Sequence, residues 1–178
     1  MRAVVSRMPG ELAVENVPEP KPGPGQALLR VVACGICGSD LHLHQHKLLP
    51  PGAIMGHEFC GEVMETVGTL RAGELVCALP NLSCGVCDRC RSGLGAYCAA
   101  QTPIGLGQPN GAFAEYVAIA AHEAVRVPSG VSTDRAALVE PLAVGVHAVN
   151  ASRMRRGDRC LVVGAGPIGL SIALWARH

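Results

Sequence analysis

The sequence predicts a mainly β domain over residues 1–150, followed at 151–178 by the first strand–turn–helix unit of an α/β fold. Three observations carry this. Short apolar runs alternate with Gly- and Pro-rich turns through the first two thirds of the chain. The first sustained helical pattern comes only at residues 133–150. A glycine loop then sits between an apolar run and an amphipathic stretch, the order of a β-α unit. With 178 residues, 49% hydrophobic and 16% charged, the chain can bury a core. Aromatic residues make up only 3%, against 22 Gly and 13 Pro, so that core must be built from Val, Leu and Ala. The net charge is +1 and no Lys/Arg block interleaves with aromatics, which argues against a nucleic-acid partner.

Taken in order, residues 3–5 and 12–17 read as strands around a Met8-Pro9-Gly10 turn. A Pro/Gly-rich loop at 18–25 leads to an apolar strand at 26–33. Residues 35–46 are polar and rich in potential ligands, a turn entering a short helix. Strand character returns at 58–67 and 74–78. Residues 81–110 form a long Cys- and Gly-rich loop, and a loop of that length needs a function or an internal tether. Residues 111–119 and 124–127 are the last strands of the β domain, and 133–150 its helix. A polar turn at 153–158 precedes a buried strand at 160–163 and a helix at 167–177. The uncharged run 160–176 is at the short limit for a membrane span and is broken by Gly164, Gly166, Pro167 and Gly169, so no membrane partner is expected. No secretory signal is visible.

Nine cysteines, an odd number, include seven between Cys34 and Cys90, several at two-residue gaps. Such gaps suit a metal better than disulfides and point to a reducing, cytoplasmic setting. The sharpest local pattern is Cys84-x2-Cys87-x2-Cys90-x7-Cys98. Four thiolates close a tetrahedral shell around zinc, and Gly85, Gly93 and Gly95 allow the backbone to wrap the ion. A closed shell has no open position, so this zinc would be structural. A bacterial iron–sulfur ligand run is the competing reading, but its fourth cysteine follows after three residues and precedes Pro, whereas Cys98 follows after seven and precedes Ala99.

A second, dispersed set comprises Cys37, His57 and a carboxylate, the sulfur, nitrogen and oxygen donors of a catalytic zinc that keeps a position open. Near the end, Gly164-Ala165-Gly166-Pro167-Ile168-Gly169 follows an apolar run and opens a helix. In that context the glycines let a backbone approach the pyrophosphate of a dinucleotide, which rests on the helix N-terminus.

Gly35-Ile36-Cys37-Gly38-Ser39-Asp40, Gly56-His57-Glu58, the four-cysteine loop, Glu140-Pro141-Leu142 and the glycine loop, in that order, resemble the zinc-containing medium-chain alcohol and polyol dehydrogenases. The resemblance runs through nearly the whole chain. It implies a GroES-like β-barrel catalytic domain joined to a Rossmann domain, two zinc ions per chain, and NAD or NADP as hydride partner of a small alcohol or polyol. It makes Cys37 and His57 ligands of the catalytic zinc, with Glu58 or Glu140 completing the shell. Glu140 stands where classical alcohol dehydrogenases have a Cys, which is similar to the sorbitol and threonine dehydrogenase branch. Asp40 would orient His57 from behind. Ser39 would take the alcohol proton and pass it through the nicotinamide ribose to His42, which faces water. Gly164, Gly166, Pro167, Ile168 and Gly169 would hold the cofactor.

The acid that grips the ribose in such folds lies about 20 residues past the glycine loop, beyond His178, and a single β-α unit needs neighbouring strands. The chain is therefore expected to be the N-terminal part of a longer enzyme, inactive alone and homo-oligomeric at full length. The rival readings are a non-enzymatic zinc module, which leaves Cys37, His57 and the glycine loop unexplained, and an iron–sulfur protein.

Overall fold

The computed structural model describes residues 1–178. Strands β1 (Arg2–Met8) and β2 (Glu11–Asn16) form an antiparallel hairpin. The main sheet is built on β3 (Gln26–Gly35), flanked by β8 (Tyr116–Ala120) and β4 (Glu58–Val63) and extended by β5 (Leu75–Ala78) and β9 (Ala124–Arg126). Its order is β8-β3-β4-β5-β9, antiparallel throughout. Of its paired strands, only β4 and β5 are joined by a short turn-rich connection; β3 reaches β4 through α1, and β8 and β9 join the sheet after the long loop. The expected mainly β domain is thus present, curled around one core.

Alternation sets the inner face. On β3, Ala27 and Leu29 are buried while Arg30 is exposed, as a period of two requires. Phe59, Val63, Leu70, Val76, Ile104, Val117 and Ile119 complete this core. Aliphatic side chains dominate it, in line with the low aromatic content, and each contributes roughly 1.5–3 kcal/mol by leaving water.

The register between β3 and β4 shifts between Val31 and Ala33, after which Cys34 opposes Phe59 and Gly35 opposes Glu58. A bulge of this kind re-aims the side chains beyond it. It delivers the chain into helix α1 (Gly38–Gln45) directly beside Glu58.

The long loop is internally structured by a β6 (Asn81–Leu82)/β7 (Thr102–Pro103) pair, helix α2 (Asp88–Arg91) and a short 3-10 turn at Gly95–Tyr97. Residues 111–115 are not part of β8, although Ala112 and Phe113 donate backbone hydrogen bonds to Gly56 and Met55.

Cys60 and Cys77 face each other across β4 and β5. Their thiols donate to the carbonyls of Thr133 and Ala136, both at 3.1 Å, and so dock helix α3 (Thr133–Ala136) on the sheet. Burial raises both thiol pKa values, that of Cys77 to about 11, so these groups stay neutral.

By its contacts the chain divides into two compact units, Met1–Ala137 and Leu138–His178. The helix expected over 133–150 is broken into α3 and α4 (Val139–Ser152). Pro141 accounts for the break: its ring would meet the carbonyl of Ala137, four residues earlier. Helix α4 packs instead with α5 (Pro167–Arg177). Ser171 Oγ donates to the Pro141 carbonyl at 3.2 Å and Trp175 Nε1 to that of Leu142 at 3.0 Å.

The expected buried strand at 160–163 does not form. Leu161 and Val163 are 86% and 90% exposed, because a strand exists only through its hydrogen-bonded neighbours and none pairs with this segment. No helix is long and apolar enough to cross a membrane.

Leu29 is fully buried at the centre of the sheet, whereas Val14 is 70% exposed. Leu29→Ala should lower unfolding free energy by about 2–5 kcal/mol in urea titration, and Val14→Ala by less than about 0.5 kcal/mol.

Candidate functional site

The four-cysteine loop gathers as expected. The ligand atoms of Cys84, Cys87, Cys90 and Cys98 all lie within 4.8 Å of one another. Cys90 Sγ is 3.5 Å from Cys87 Sγ and 3.8 Å from Cys84 Sγ. Zinc–sulfur bonds of about 2.3 Å in a tetrahedron set sulfur–sulfur edges of about 3.8 Å, while a disulfide would need about 2.0 Å. The spacing fits a zinc shell. Gly85 and Gly93 hold φ of +72° and +75°, the left-handed region that lets the loop turn back on itself.

The thiols differ in proton affinity. Amide donors at Val86 and Cys87, with Cys98, lower the Cys84 pKa to about 6. Burial, then the neighbouring Cys87, pushes Cys90 up to about 11. The loop is seated on polar residues that sequence reasoning missed. Asn81 Nδ2 donates to the Gly95 carbonyl at 3.4 Å, Ser83 Oγ lies 2.9 Å from His122 Nε2, and the Glu123 carboxylate packs where a Gly95 side chain would stand. None of these carries a motif; Asn81 and Ser83 are buried polar residues, whereas His122 is exposed.

The dispersed set also converges within the first unit. Cys37, His57 and Glu58 bring one ligand atom each within 4.8 Å of the others. Cys37 is the N-cap of α1: its Sγ accepts from the Ser39 amide at 3.5 Å, and Asp40 Oδ2 accepts from the Cys37 amide at 2.9 Å. This capping box fixes Cys37 at the start of the helix. His57 and Asp40 are 5% and 2% exposed, and Asp40 Oδ1 lies 3.6 Å from His57 Nδ1. The other ring nitrogen, Nε2, is 3.4 Å from Ser39 Oγ.

Burial alone would lower the His57 pKa, but Asp40 and Cys37 outweigh it and hold the imidazolium up to about 9. Cys34, although only three residues from Cys37, is a different group: burial first, then the Asp40 charge, raises its thiol to about 12. Gly35 leaves room for the Glu58 carboxylate, which a side chain there would displace.

His42 is exposed on α1. Glu140 lies in the first turn of α4, in the second unit. In that unit Gly164 has φ +108°, Gly166 caps α5 and Pro167 occupies its first turn. Gly169 packs on the Gly164 carbonyl, where any Cβ would collide, and Ile168 is 39% exposed. The glycine turn thus opens directly into the N-terminus of α5, a setting suited to a phosphate.

Cys84 is ionised above about pH 6, whereas Cys90 keeps its proton up to about pH 11, so metal uptake must expel the Cys90 proton throughout the neutral range. The apparent zinc association constant of this loop should therefore rise at least about tenfold per pH unit between about pH 7 and 9, measured against a competing chelator. A pH-independent constant would remove these thiols from the ligand set.

Residues 23–129 match the model of the alcohol dehydrogenase GroES-like domain. The chain is 41% identical to an L-threonine 3-dehydrogenase of Streptomyces avermitilis, over 100% of its own length and 54% of that protein's. It superposes on an alcohol dehydrogenase from Thermus sp. ATN1 with a TM-score of 0.89 and 34% identity, covering 99% of this chain and 55% of the other. A zinc-binding dehydrogenase from Sinorhizobium meliloti 1021, bound to NADP, gives a TM-score of 0.85 at 38% identity, covering 99% and 52%. The chain spans about half the length of the curated relatives it matches. On motifs, fold and ligand geometry together, it belongs to the zinc-containing medium-chain alcohol and polyol dehydrogenase family.

Proposed function

We propose that this chain supplies the zinc-binding part of an oxidoreductase that moves a hydride between a small alcohol or polyol and NAD(P). The observation that carries the reading is the convergence of Cys37, His57 and Glu58, with Asp40 behind the ring. A bound zinc would supply Lewis-acid polarisation of the alcohol oxygen, and a nicotinamide would accept the hydride.

The chain's own residues do the rest. Asp40 faces His57 Nδ1 and leaves Nε2 for the metal; Cys37 offers a sulfur held by the helix cap. Ser39 Oγ, beside that same Nε2, stands where it can take the alcohol's proton, and His42 on the exposed side of α1 can release it to water. Glu58 is the carboxylate within ligand distance of Cys37 and His57, and Glu140 is the second candidate for the shell. The four-cysteine loop holds a structural zinc, and Gly164, Gly166, Pro167, Ile168 and Gly169 receive the cofactor's pyrophosphate. We assign turnover, and assembly into oligomers, to a chain of the relatives' full length.

Purified without added metal, the chain should carry two zinc ions by elemental analysis. Cys84→Ser and Cys37→Ser should each retain one, from different sites. Iron with sulfide, or no metal, would overturn the assignment. The 178 residues alone should give no steady NAD(P)H signal with simple alcohols or polyols, while a chain of the relatives' length should; sustained turnover by the shorter chain would contradict the division of labour.

A further inference from the structure

Helix α1 carries His42 and His44, and its C-cap is His46, at alternate positions, and neither candidate metal cluster uses them. Residues two apart diverge on a helix, whereas residues four apart share a face. The rings of His42 and His46 accordingly meet, with centroids 4.2 Å apart and planes inclined by 49°. The turn beneath them is intact, since the His46 amide donates to the His42 carbonyl at 3.0 Å. Both rings are exposed, while His44 is half-buried. The Lys47 stem lies over Gly10 in the β1–β2 turn rather than along the helix.

Two imidazoles at i and i+4 on one helical face are a chelating pair. Metal–nitrogen bonds of about 2.0–2.1 Å place two such donors about 3 Å apart, a spacing that rings stacked at 4.2 Å reach by small side-chain rotations. The helix C-terminus, where His46 sits, also favours positive charge.

We infer that His42 and His46 form a solvent-facing site for one borderline divalent cation of the nickel(II) and copper(II) class, with water filling the remaining positions. The site is separate from the zinc centres. A cation there occupies the imidazole through which the alcohol's proton is released, so it would also inhibit turnover; this consequence rests on the proton path proposed above.

The test is calorimetric titration of nickel(II) into the zinc-loaded chain. A Cys160→Ser background removes an exposed thiol that would otherwise compete, and zinc release is followed with a chromogenic chelator. About one equivalent should bind without loss of zinc. His46→Gln should weaken binding by about tenfold or more, because the second donor supplies the chelate effect, and His44→Gln should leave it unchanged. Equal binding by the His46→Gln chain, or release of zinc in step with nickel uptake, would overturn the site. Inhibition is read separately at the relatives' full length. Nickel that binds but does not slow turnover would refute the proton path and leave the site standing.

Discussion

The pairing of β3 with β4, and the register shift inside it, is the constraint on which the geometry of the Cys37–His57–Glu58 cluster depends. Cys37 and His57 are far apart in the chain and approach only because Gly35 ends up opposite Glu58. Without the shift between Val31 and Ala33, the end of β3 would present its side chains to the other face of the sheet. Gly35 admits the Glu58 carboxylate that any side chain would displace. Asp40 then serves both ligands: one oxygen receives the Cys37 amide and the other faces the His57 ring. A single buried carboxylate thereby couples a helix start to a strand start.

The two candidate metal-ligand clusters are built on opposite principles. The four-cysteine loop is local, its ligands spaced closely enough for one segment to wrap an ion. Its ordering cost is offset in part by a polar seat in which Asn81 and Ser83 are buried and His122 and Glu123 pack beside them, and a bound metal would add to that. The Cys37–His57–Glu58 set is non-local and depends on the sheet, so its geometry is as rigid as the core beneath it. A closed local shell suits a structural role, and a set with fewer protein donors suits chemistry.

Cysteine identity alone does not separate ligand from packing. Cys60 and Cys77 are neutral thiols that hold α3 on the sheet, and Cys34 is a half-buried thiol three residues from the candidate ligand Cys37. What divides them from Cys84 is environment. Amide donors stabilise the thiolate at Cys84, whereas at Cys34 and Cys60 burial outweighs the single backbone donor, and at Cys34 the Asp40 charge adds to it.

Much of what is encoded within a short stretch of chain was legible in the sequence: the alternating strands, the four-cysteine spacing, and the glycine loop opening α5, whose helix matches its predicted limits. The break that Pro141 makes in the expected 133–150 helix was not. The pattern Gly-His-Glu and the Cys37 motif named the dispersed ligands, though only as a resemblance. What the tertiary structure decided was long-range. It fixed which cysteines dock a helix, which polar residues seat the loop, and that Glu58 stands in ligand distance of Cys37 and His57. It also denied strand form to residues 160–163, whose apolar sequence is strand-like but whose exposed side chains have no paired neighbour. The physical reason is the same in each case. Turns and ligand spacings are properties of adjacent residues, but burial, register and strand pairing belong to residues that the sequence alone does not bring together.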